Sequence, residues 1–115
     1  MTIERMLVGK RLSEIAVHGN TVYLAGQGAE DNTQDISGQT RQVLAAIDKL
    51  LGEAGSDKSK LLQVTIFIAD MQDFPSMNAV WDGWIVPGAT PPRATVEAKL
   101  AKPEWKVEML VVAAR

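Results

Sequence analysis

Leu61-Leu62-Gln63-Val64-Thr65-Ile66-Phe67-Ile68-Ala69 is the stretch on which the fold turns. It is too short for a helix of several turns and is rich in β-branched side chains, so it predicts a strand. Alternation sends Leu62, Val64, Ile66 and Ile68 to one side, and Thr65, Phe67 and Ala69 to the other. Both sides avoid water. A strand of this kind needs cover on each face.

Upstream, Ile36, Val43, Leu44, Ile47, Leu50, Leu51 and Ala54 recur at helical spacing, predicting one buried stripe on a helix over Asp35 to Ala54. Gly55 stands where a left-handed C-terminal cap belongs, and Gly52 weakens the last turn. Before that helix, Ile15–Val17 and Val22–Leu24 alternate around Gly19-Asn20, the signal of a tight hairpin, and Gly26 and Gly28 break its second strand. Downstream, Asp73 is placed to cap a second helix with Pro75 in its first turn. Phe74, Met77, Trp81, Trp84 and Ile85 form that helix's inner face, and Pro87-Gly88 ends it. Strands follow at Arg93 to Glu97 and Lys106 to Ala113. In the last, Val107, Met109, Val111 and Ala113 share a face opposite Leu110 and Val112.

The order predicts a single α+β domain over residues 1–115, with both helices on one face of the sheet. Two helices cover one face only. Leaving the second apolar face wet would expose an unusually large patch, so another subunit is expected to cover it.

Bulk properties narrow the function. Apolar residues make up 46% and charged residues 23%, an ordinary globular balance. The formal net charge is -2, which supplies no general pull toward phosphate backbones; Arg5, Lys10 and Arg11 are too few for a nucleic-acid surface. Cys is absent, which excludes disulfides, thiol catalysis and Cys-ligated zinc, and the lone His18 excludes a two-histidine metal site within one chain. No metal, cofactor or nucleic acid is expected. Neither a secretory pattern nor a bilayer-spanning apolar run is visible, so a soluble, cytoplasmic protein is expected.

Several short motifs carry no chemistry. Gly26-Gln27-Gly28 lacks the third glycine and the adjoining helix of a dinucleotide fingerprint, and Val8-Gly9-Lys10 lacks the flanks of a phosphate loop. His18 flanks a turn, and Trp81 and Trp84 read as core or interface. Arg93 differs. It follows two prolines and opens an otherwise uncharged strand, Ala94-Thr95-Val96. A guanidinium there is a fork for a carboxylate, either of a ligand or of a Glu or Asp in the chain.

Phe67-Ile68-Ala69-Asp70-Met71-Gln72-Asp73-Phe74 and Met77-Asn78-Ala79-Val80-Trp81 resemble the strand–turn–helix signature of the Rid family (reactive intermediate deaminases, YjgF-like). Gly19-Asn20 with Gly26-Gln27 is similar to its early hairpin. Pro91-Pro92-Arg93-Ala94-Thr95-Val96-Glu97-Ala98, then Lys106-Val107-Glu108, resembles its C-terminal signature. The similarity runs along nearly the whole chain and is greatest to short YoaB-like members.

The resemblance implies a chorismate-mutase-like fold with a mixed sheet, assembled as a homotrimer with ligand clefts between subunits. It implies hydrolysis of imines and enamines such as 2-aminoacrylate to a 2-oxo acid and ammonia, without metal or bound cofactor. By the same resemblance, Arg93 is the anchor of the substrate carboxylate and Gly26 lies at the cleft. Asn78 matches an asparagine of the second helix, with an architectural role. Leu110 stands where the archetype has an acidic water-positioning residue, and Leu12 stands near its N-terminal tyrosine. Glu108 lies on the face of Leu110, one strand step of about 6–7 Å away, and is the remaining acidic candidate. Two functions are therefore expected to compete: an imine deaminase of weakened or redirected activity, and a non-catalytic module that senses small 2-oxo or amino acids. Endoribonuclease or translation inhibitor, labels carried by some family members, ranks third.

Overall fold

A computed structural model describes residues 1–115. Helix α1 (Ile36–Glu53) begins where the Asp35 side chain accepts from the Gly38 amide at 2.8 Å, and ends before Gly55, whose φ is +77°. All seven residues of its apolar stripe are buried. They rest on a sheet of strands β1 (Ile3–Val8), β2 (Ser13–His18), β3 (Thr21–Leu24), β4 (Gln27–Gly28), β5 (Leu61–Ile68), β6 (Arg93–Glu97) and β7 (Val107–Ala114). The second helix, α2 (Phe74–Trp84), packs beside α1.

The strand order is β1-β2-β3-β7-β5-β6, with β4 also paired to β7. Only β5 and β6 run parallel, joined through α2; the other pairs are antiparallel. The sheet is therefore mixed, with both helices on one face, as the pattern predicts. Ile15, Val17, Val22, Leu24, Val64, Ile66, Ile68, Val107, Met109, Val111 and Ala113 point to the helices and form one core with them. Each such side chain contributes about 1.5–3 kcal/mol by leaving water.

No helix covers the opposite face, where the Trp105 ring lies over Gly28. Register neighbours share a face, so Ala94, Thr65 and Leu110 form one row across it, and Val96, Phe67, Glu108 and Gly28 the next. Tyr23, Val96 and Leu110 are each more than 40% exposed.

Four local expectations need correction. Strand β1 was not expected; it pairs with β2 on the sheet edge, where five of its six residues are exposed and no burial pattern marks them. A register irregularity between Leu61 and Gln63 turns Leu61 into the core and leaves Leu62 exposed. Asp73 makes no capping hydrogen bond: a 3₁₀ turn at Met71–Asp73 precedes α2, and Asp70 caps it by accepting from Gln72 N. In the hairpin only Gly19 has positive φ (+62°), and Asn20 does not.

Candidate ligand site

Arg93 opens β6 opposite Val64, so its side chain rises from the helix-covered face at the sheet's edge. Its guanidinium lies over two rings of α2, 5.1 Å from the Trp81 centroid and 5.8 Å from Phe74. It pairs with no carboxylate. The chain's one ion pair, at 4.0 Å, joins Arg115 to Glu4. Glu97, two pleats along β6 on the same face, accepts from the Met71 amide at 2.9 Å. Arg93 is thus held by aromatic faces, and its hydrogen-bonding fork is not committed to an internal acid.

Glu108 sits on the bare face, and its carboxylate folds against Gly26, where any Cβ would collide with it. The neighbouring Gly28 is covered by the ring of Trp105, whose indole N–H donates to Ala29 O at 2.8 Å. Gly26, Glu108 and Leu110 therefore form one group, walled by Trp105. Leu12 is 57% exposed at the β1–β2 turn, where its carbonyl accepts from Gly9 N. Asn78 is half-buried on α2.

The structure does not bring Arg93 to that group. Two strand intervals and three residues of register separate Arg93 from Glu108, more than about 10 Å, and the side chains leave opposite faces. Two concavities of about 560 and 620 Å³ flank α1; the first is lined in part by Arg41, Lys58 and Trp84, the second by Leu7, Gln27 and Lys49. Neither is lined by Arg93. Lowered carboxyl pKa values occur at Asp31, through hydrogen bonds from Thr33 and then Gln34, and at Asp57, through those from Ser59. Both lie in exposed turns away from Arg93 and Glu108.

Sequence reasoning missed the aromatic bracket of Arg93, which joins separate elements. It also missed Gln39, buried in α1, whose amide donates to the carbonyls of Asn32, Gln34 and Glu104 and whose oxygen accepts from Lys106 N at 2.8 Å. A signal was available: Gln39 and Thr40 follow Ile36 by three and four residues, inside the apolar stripe.

The family model described as endoribonuclease L-PSP matches residues 2–115. The chain belongs to this YjgF-like family. A "RutC family protein" of Haemophilus influenzae is 50% identical over 114 residues, covering 98% of each chain. The Escherichia coli K12 "RutC family protein YoaB" is 46% identical over 114 residues, covering 99% of each. Among solved structures, an uncharacterized Pseudomonas aeruginosa protein superposes with a TM-score of 0.97 at 51% identity, covering 99% of both chains. A YjgF-family member from Neisseria meningitidis also reaches 0.97, at 42% identity, with 100% of this chain and 96% of that one covered. The fold and the resemblance to short YoaB-like members are thereby established. No helix of this family member is long and apolar enough to cross a membrane.

Proposed function

We propose that the protein binds small 2-imino and 2-oxo acids in clefts between copies of itself and hydrolyses the imines. One observation carries the reading: a guanidinium without an acidic partner, stacked on Trp81 and Phe74 at an open sheet edge. It offers a carboxylate two parallel N–H bonds without first breaking an internal pair. Water adds to the imine carbon, the C–N bond breaks, and ammonia leaves a 2-oxo acid. The chemistry needs no metal or cofactor, because the imine is already electrophilic.

Geometry supports an assembly. Arg93 and the Gly26–Glu108–Leu110 group leave opposite faces of one sheet, so a cleft holding both draws them from different copies. The uncovered apolar face supports such association, and a homotrimer is the form the family resemblance implies. Leu110 offers no proton relay, and general acid–base help is worth about 10²–10⁴ in rate. Turnover is therefore expected to be slow unless Glu108, from its seat on Gly26, orients the water. An endoribonuclease reading draws no support from a net charge of -2 and a single histidine.

The test generates imino acids with an amino-acid oxidase and follows 2-oxo acid release above the spontaneous rate. Wild type is expected to accelerate it and Arg93→Ala to lose most of the acceleration, with both variants sedimenting as the same oligomer. Equal inertness of the two across several amino acids, or a monomer in solution, would sink the reading. A second function is favoured by the apolar Leu12 and Leu110: a binding module for 2-oxo acids without turnover. Calorimetric binding that Arg93→Ala abolishes, with no rate enhancement in wild type, would select it.

A further inference from the structure

The side chains behind Arg93 form a line that ends on α1. Trp81, whose ring carries the guanidinium at 5.1 Å, meets Trp84 one turn along α2. Their ring centroids are 5.5 Å apart and their planes are tilted by 52°. Trp84 is held from two sides. Its indole N–H donates to a carboxylate oxygen of Asp48 at 2.9 Å. Lys58 stands 5.2 Å from its ring centroid and donates from Nζ to the Trp84 carbonyl at 2.6 Å. Asp48 belongs to α1, and Lys58 to the turn that leads into β5. Both border the concavity of about 560 Å³ that Trp84 also lines, so the indole has room to swing unless it is held. Asp48 is exposed, and a hydrogen bond so placed contributes modestly to stability. What it fixes is the direction of a ring. Cation–π attraction fades beyond about 6 Å, so a displacement of about 1 Å takes Trp81 to the limit of its hold on Arg93. Phe74, at 5.8 Å, is already near that limit.

We infer that Asp48 is a positioning residue for Arg93, acting through Trp84 and Trp81. The inference rests on the carboxylate reading of Arg93 and adds what keeps its fork in place. A bidentate grip needs its two N–H groups aligned to a fraction of an ångström. A carboxylate of the chain set directly on the guanidinium would align it but would compete with the ligand. Placed two rings away, on Asp48, the carboxylate steadies the fork and leaves it free. Lys58 acts likewise on the backbone. Trp84 is the last residue of α2, and the ammonium on its carbonyl fixes where that helix ends.

The experiment measures 2-oxobutyrate and pyruvate binding by calorimetry to the assembled wild type and to Asp48→Leu, Asp48→Asn, Trp84→Phe and Arg93→Ala. Ser56→Ala is the control, because it removes a hydrogen bond to Ala114 O away from the relay. Melting temperatures are read without ligand, and binding at a temperature where every variant is folded. Asp48→Leu and Trp84→Phe are expected to weaken binding five- to tenfold, inside the roughly 10²-fold that a 1 Å misplacement can cost. Asp48→Asn, whose amide oxygen still accepts from the indole, should stay within about twofold of wild type. In turnover, Asp48→Leu raises KM and leaves kcat nearly unchanged. Ser56→Ala should melt earlier yet bind like wild type. If it weakens binding as much as Asp48→Leu does, the effect is general loosening and the inference fails. An Asp48→Asn as weak as Asp48→Leu assigns the effect to charge instead of the indole bond, and also overturns it. If Arg93→Ala loses binding while Asp48→Leu binds like wild type, the relay is wrong and the carboxylate reading survives. Undiminished binding in Arg93→Ala, or none in wild type, overturns both.

Discussion

Gln39 and the β6 edge treat polar groups in opposite ways. Gln39 is fully buried and spends both ends of its amide on four backbone partners, tying the Asn32–Gln34 loop and the segment entering β7 to α1. On β6, Arg93 rests on aromatic rings and Thr95 has no partner. The lesson is that internal satisfaction marks structural polar groups, and its absence at an open edge marks groups held for something else.

The sharpest way to break this contrast is Gln39→Ala. It strands Lys106 N and three carbonyls, a loss of about 3–5 kcal/mol in denaturant unfolding. Thr95→Val, by comparison, should cost nothing. If the two variants unfold alike, internal satisfaction does not separate the two regions. Trp105 follows Glu104 and precedes Lys106, both bonded by Gln39, so its fluorescence should report the local loosening.

Next in size is Leu110→Glu, which returns an acidic group to the bare face beside Thr65. Imine hydrolysis is expected to rise tenfold or more, toward the lower end of the range typical of general acid–base assistance, about 10². Sedimentation must accompany the assay, because a carboxylate on the bare face would oppose the proposed association. An intact oligomer with an unchanged rate would mean that Leu110 does not border the reacting atoms, leaving Glu108 as the acidic group to test.

Much of the fold was legible because burial repeats along single elements. The α1 stripe and the inward face of β7 follow from spacing alone, and the β6 bounds from Pro91-Pro92 and the uncharged run after Arg93. Misreadings came where geometry is set between elements. The irregularity at Leu61–Gln63 moves one side chain across the sheet, and β1 borrows its pairing from β2 with little burial of its own. Arg93 stood out as a charge opening an uncharged strand. Its rings and the orphan Thr95 needed coordinates, since no periodicity links β6 to α2.

The smallest expected effect concerns the other edge of the sheet. Leu7 in β1 has φ +53°, a left-handed conformation that costs a leucine about 1–2 kcal/mol, and its side chain is 54% exposed. So exposed a leucine gains little burial in the lone chain, as the Thr95 hydroxyl gains no partner. Leu7→Gly relieves the strain but loosens the unfolded chain, so denaturant unfolding should gain no more than about 1 kcal/mol. Oligomer dissociation then decides what the leucine is for. If Leu7 is strained in order to meet a second copy, the glycine variant unfolds later yet dissociates at higher protein concentration than wild type. If dissociation does not change, the strain at the β1 edge serves no contact, and unmet cost at an open edge loses one of its two supports as a guide to function.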